Sequence, residues 1–144
     1  MTPDQITLVR STFAALDRSG LDPALVYARL FELHPEVRMR FPDDLGPLPQ
    51  NFWSGLTGLI LRLDDVAGLT EEGAGAAAYH RNMGVTSIEF AQLGETLDDV
   101  VRTQLGEEYT PAHAEALRRT WVLVTEVLQQ RPRISSATPP VLTD

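Results

Sequence analysis

Cysteine is absent from the 144 residues of this chain, which excludes disulfides, thiolate-bound metals, iron–sulfur clusters and cysteine nucleophiles. Any metal ion would have to be held by nitrogen or oxygen. Lysine is absent too, so all 12 basic residues are arginine, set against 20 acidic residues for a formal charge of -8. A protein that binds nucleic acid regardless of sequence needs clustered basic residues to neutralise phosphates. No such cluster exists here. Long apolar runs are also missing. No stretch approaches the roughly 20 residues of a membrane span, and the N-terminus lacks the basic-then-apolar pattern of a signal. The expectation is a cytoplasmic protein with neither a nucleic-acid nor a membrane partner. The hydrophobic fraction of 43% is enough for one core and a lined pocket, and a chain of this length leaves no room for a second domain.

Sustained two-residue alternation, the mark of half-buried strands, is lacking as well. Apolar residues instead recur every three or four positions almost throughout, so the expected fold class is all-α, with about seven helices. Thr2-Pro3-Asp4-Gln5 reads as a capping box opening a helix with Ile6, Val9, Phe13 and Leu16 inward, ended by Ser19-Gly20. Asp22-Pro23 opens a second with Leu25, Val26, Leu30 and Phe31 inward, and His34-Pro35 turns the chain into a short segment ending near Phe41-Pro42. Residues 43–49 read as a loop. Phe52, Leu56, Leu59, Ile60 and Leu63 then mark a long helix ending at Leu63-Asp64-Asp65. A shorter helix, capped by Thr70, runs to Asn82-Met83-Gly84. Two long helices open at the capping box Thr86-Ser87-Ile88-Glu89 and at Thr110-Pro111. The helical domain spans residues 1–130, and the proline, serine and threonine of 131–144 predict a disordered C-terminal tail.

Three histidines are available as ligands. His34, before Pro35 at a helix boundary, reads as a surface or capping residue. His113, in the first turn of the last helix, reads as solvent-exposed. His80 differs, because it follows Ala76, Ala77 and Ala78 and precedes Gly84, neighbours small enough to let a flat ligand approach. On residue chemistry alone, a lone histidine of this kind is more often an ordinary, partly buried side chain than a ligand.

The surrounding string shifts that balance. Tyr79-His80-Arg81-Asn82-Met83-Gly84-Val85, followed by Phe90 and Gly94-Glu95-Thr96-Leu97, resembles the proximal segment of globins. The stretch from Tyr27 to Phe41 is similar to the B–C region of Vitreoscilla-type haemoglobins and flavohaemoglobin globin domains. Pro35, Phe41, Leu63-Asp64, His80 and Thr110-Pro111 fall in globin order, and the match covers roughly residues 2–130. This resemblance implies a globin fold around a pocket for haem b, with His80 as the iron ligand and its other ring nitrogen bonded to a backbone carbonyl near Ala76. It implies further that Phe41, Phe52, Val85, Phe90 and Leu48 line the haem. Tyr27 takes the place of a distal tyrosine whose hydroxyl bonds the gas ligand. Leu48 takes the place of the distal histidine or glutamine, unless a shift of two or three residues brings the amide of Gln50 or Asn51 there instead. Phe52 reads equally as a haem neighbour or as ordinary helix core.

The implied function is reversible binding of O2, CO or NO by a monomer or homodimer. Enzymatic roles stay open. NO dioxygenation would require an external reductase, and peroxidase-like chemistry is the alternative. Against the latter, Phe90 stands where those bacterial relatives place a supporting tyrosine, and the glutamate position falls near Pro132. A gas or redox sensor acting through a separate partner is the remaining alternative.

Overall fold

A computed structural model describes residues 1–130. The sequence expectation of a disordered tail at 131–144 lies outside them. Among the described residues there are six α-helices and two short 3-10 segments, and no strand. The helices are α1 (Pro3–Arg18), α2 (Ala24–Leu33), α3 (Leu48–Ile60), α4 (Val66–Asn82), α5 (Ser87–Leu105) and α6 (Pro111–Gln129). A 3-10 segment at Pro35–Arg40 follows α2, and another at Gly106–Glu108 follows α5. No helix among the described residues is long and apolar enough to cross a membrane.

Local chemistry explains most boundaries. The Thr2, Thr86 and Thr110 side chains each accept from the amide three residues on, and the side chains of Gln5, Glu89 and His113 bond back to the cap amide. His113 is thereby a capping residue, and its ring stacks on Tyr109. Three boundaries differ from the periodicity reading. α3 begins at Leu48 because Pro49 sits in the first turn, where a helix leaves amides unpaired anyway, and it ends at Ile60. α4 begins at Val66 instead of after Thr70, because the Asp65 carboxylate caps it by accepting from the Gly68 amide at 3.0 Å, worth about 1 kcal/mol. Leu25, assigned to the inner stripe of α2, is 43% exposed.

The end of α4 positions the candidate ligand. Gly84 adopts φ +69°, which a side chain would disfavour, and its amide donates to the Arg81 carbonyl at 3.1 Å. The Val85 amide then donates to the His80 carbonyl at 3.1 Å, completing a left-handed helix stop that folds Val85 back beside His80. α4 can seat against α6 because Gly73 has no side chain; a Cβ there would lie 2.3 Å from Val127 Cγ1. One core joins Val9 and Phe13 of α1, Trp53 and Ile60 of α3, Val101 of α5 and Val124 of α6. A second, smaller cluster gathers Tyr27, Leu30 and Val37 with Phe31, Phe41, Leu48 and Phe52 around them. The space between these clusters is the site.

Candidate functional site

A cavity of about 490 Å³ opens between the α2–α3 wall and the α4–α5 wall. His80, Phe41, Phe52, Val85, Phe90, Leu48, Tyr27 and Asn51, all candidates from the sequence, line it. Gln50 does not: it is exposed and faces away, so of the two amides only Asn51 borders the cavity. His34 stands elsewhere, with Nε2 2.8 Å from the Glu95 carboxylate. A second hollow of about 430 Å³ lies between α5 and α6 around Gly94 and Leu117. It shares only Trp121 with the first and has no histidine in its wall.

His80 is held from two sides. Its Nδ1 lies 2.6 Å from the Ala76 carbonyl oxygen; a carbonyl only accepts, so Nδ1 carries a proton, and the neutral ring in this tautomer has its lone pair on Nε2. Phe90 leans on the ring at a centroid distance of 5.4 Å. Phe90 is itself fixed in the first turn of α5, where the Trp121 indole donates to its carbonyl at 2.8 Å. An imidazole oriented in this way can serve as an axial metal ligand. Among the described residues, no group of three or more His, Cys, Asp or Glu is arranged to hold an ion.

The other wall is aromatic. The Tyr27 ring meets Phe41 edge-on at 5.5 Å and Phe52 edge-on at 5.8 Å, while Phe31 packs on Phe41 at 5.4 Å. Burial pushes the Tyr27 phenol well above its ordinary pKa, with the charge interaction of Tyr79 a smaller cause, so it remains a neutral O–H donor at physiological pH. Leu48, the first residue of α3, adds an apolar side chain that cannot donate. A flat, largely apolar group fits this arrangement: an imidazole lone pair on one side, a phenol on the other, and hydrocarbon between.

Sequence reasoning missed several lining residues. Leu56, Leu59 and Leu93 border the cavity, but their helical spacing is that of any core-facing side chain. Arg40 and Glu89 also border it, and their charge reads as ordinary surface in the sequence. The position of Arg40 directly before Phe41 was the available signal. The expected glutamate position near Pro132 lies outside the described residues.

Helix order, the corner after α4 and the cavity between the helix walls define an all-α globin fold. No family model matches the chain. It is 26% identical over 139 residues to a neuroglobin of Dissostichus mawsoni and, to the same extent, to one of Chaenocephalus aceratus; each alignment takes in 85% of this chain and 87% of the relative. A neuroglobin of Danio rerio is 26% identical over 136 residues, covering 84% of this chain and 83% of its own. With the fold, these relatives support a globin family for the chain.

Proposed function

We propose that the chain is a haem-binding globin, with haem b in the cavity, His80 Nε2 as its iron ligand, and a diatomic gas (O2, CO or NO) bound reversibly on the Tyr27 side. The observation that carries this reading is the His80 Nδ1 bond to the Ala76 carbonyl, which leaves Nε2 facing an apolar cavity with a buried phenol in its other wall. Relatives named neuroglobin are consistent with it.

Haem would supply an iron centre with one coordination position open to a small gas. The protein's part is division of labour around that position. His80 provides a neutral nitrogen whose basicity is raised by its carbonyl partner. Phe41, Phe52 and Leu48 keep water away. Tyr27 offers one O–H to a ligand that becomes partly negative. The distal tyrosine follows the Vitreoscilla-type arrangement while the apolar Leu48 departs from it, and on Tyr27 that bacterial subtype is the one we assign. The test is an absorption spectrum of purified protein with and without dithionite and CO. An intense Soret band that shifts with CO is expected; protein that stays colourless after titration with haemin overturns the reading.

A further inference from the structure

We propose that Arg40 anchors the acidic edge of the cofactor, and that Glu89 competes with that edge for the same guanidinium. The proposal rests on the haem reading above. Haem b is apolar across its face and carries two carboxylates along one edge, so burial of the face leaves that edge at the cavity mouth, in water. Arg40 is the only arginine and Glu89 the only acidic residue among the described residues lining the cavity. Their side chains are 41% and 23% exposed, which places both at the mouth.

Arg40 ends the 3-10 segment beside Phe41, and its side chain crosses to the opposite wall. Nε lies 2.7 Å from Glu89 Oε2 and Nη2 3.2 Å from Oε1, while Nη2 also donates to the carbonyls of Met83 and Gly84 at 3.1 and 3.2 Å. The two carbonyls belong to the corner that follows His80, so they would keep the guanidinium at the mouth even without Glu89. These bonds use Nε and Nη2, and Nη1 remains for a further carboxylate among the described residues. A carboxylate arriving there meets a cation already shared with Glu89 and lies beside a like charge. Arg40 therefore favours the cofactor's edge and Glu89 opposes it, although the two residues form a single ion pair.

That opposition is the test. Wild type, Arg40→Gln and Glu89→Gln are loaded with haemin, and its transfer to an excess of a scavenging apoglobin is timed at low and high salt. Glutamine at 89 still accepts from the Thr86 amide, so the cap of α5 is kept. The expected result is loss about three- to fivefold faster in Arg40→Gln and slower by a similar factor in Glu89→Gln, both differences shrinking in about 1 M salt. With haemin dimethyl ester, which has no free carboxylate, Arg40→Gln and wild type should lose the cofactor at equal rates; a difference there would mean the variant damages the pocket and overturns the proposal. If both variants lose haemin faster, Glu89 only props Arg40 and the competition is refuted. If neither rate changes, Arg40 is no anchor. Failure of wild type to take up haemin would instead overturn the haem reading on which this one stands.

Discussion

His80 donates from Nδ1 to the carbonyl oxygen of Ala76, one turn earlier on the same helix, at 2.6 Å. The bond fixes the tautomer and the ring plane together, so the other nitrogen is preset toward the cavity before any cofactor arrives. Preorganisation of this kind lowers the cost of binding, because one side chain fewer has to be ordered.

Replacement of His80 by alanine should remove stable haem retention, or leave a weakly held haem that added imidazole restores. Of the other two histidines, His34 is paired with Glu95 and His113 with Thr110, so neither is placed to substitute. Haemin titration followed by gel filtration checks this. Full loading with an unchanged ferrous-CO spectrum in the mutant would refute the assignment.

The ferrous, ligand-free protein should be five-coordinate. A second axial histidine would have to come from α3, and Leu48–Ile60 contains none. A broad high-spin visible band is expected after dithionite. A sharp, split low-spin spectrum would show that some other side chain had reached the iron.

Stability should fall on the alkaline side through Tyr27. Its pKa in the folded chain is raised above 10.0, by burial first and by Tyr79 second, so the unfolded chain ionises while the folded one does not. The stability it contributes is complete below pH 10 and lost as pH rises above it. The slope for a single buried tyrosine is about 1.4 kcal/mol per pH unit. Tyr109, pushed up to about 12 by burial and then by its bond to Asp98, adds to the same limb. Lysine and cysteine, which would otherwise obscure this range, are absent. Urea unfolding of the haem-free chain at pH 9, 10 and 11 should show a shallower decline for Tyr27→Phe than for wild type; parallel declines would mean that the phenol is not buried.

The helix order and the end of α4 were legible in the sequence because they depend on local chemistry: threonine caps, proline in first turns and a glycine where φ is positive. The start of α4 was not, since Gly68 weakens the helical pattern just where Asp65 begins it. On the His80 side, the candidate ligand, its carbonyl partner and Val85 lie within ten residues, so a resemblance confined to one short string was enough to point to them. The opposite wall depends on how α2, the 3-10 segment and α3 meet, so the sequence left Leu48, Gln50 and Asn51 as alternatives there, of which Leu48 and Asn51 border the cavity. Arg40 and Glu89 are 49 residues apart, and only the fold brings them together.

Tyr27 gives the most discriminating functional prediction. O2 held by a ferrous haem would carry partial negative charge, and the phenol is kept neutral by burial, so its O–H is available to donate. A hydrogen bond with this degree of charge assistance is worth about 1.5–3 kcal/mol. Its loss in Tyr27→Phe corresponds to a roughly ten- to hundredfold faster release of O2. Bound CO is much less polar and should leave at nearly the wild-type rate. The ring itself is retained by phenylalanine, so the edge-on contacts with Phe41 and Phe52 persist and the pocket keeps its shape. Stopped-flow measurement of both gases separates the possibilities. Unchanged O2 release would show that Tyr27 does not face the ligand and would turn attention to Asn51, the amide that borders the cavity. Equal acceleration of O2 and CO would mean that the hydroxyl controls access to the pocket instead of bonding what is held inside it.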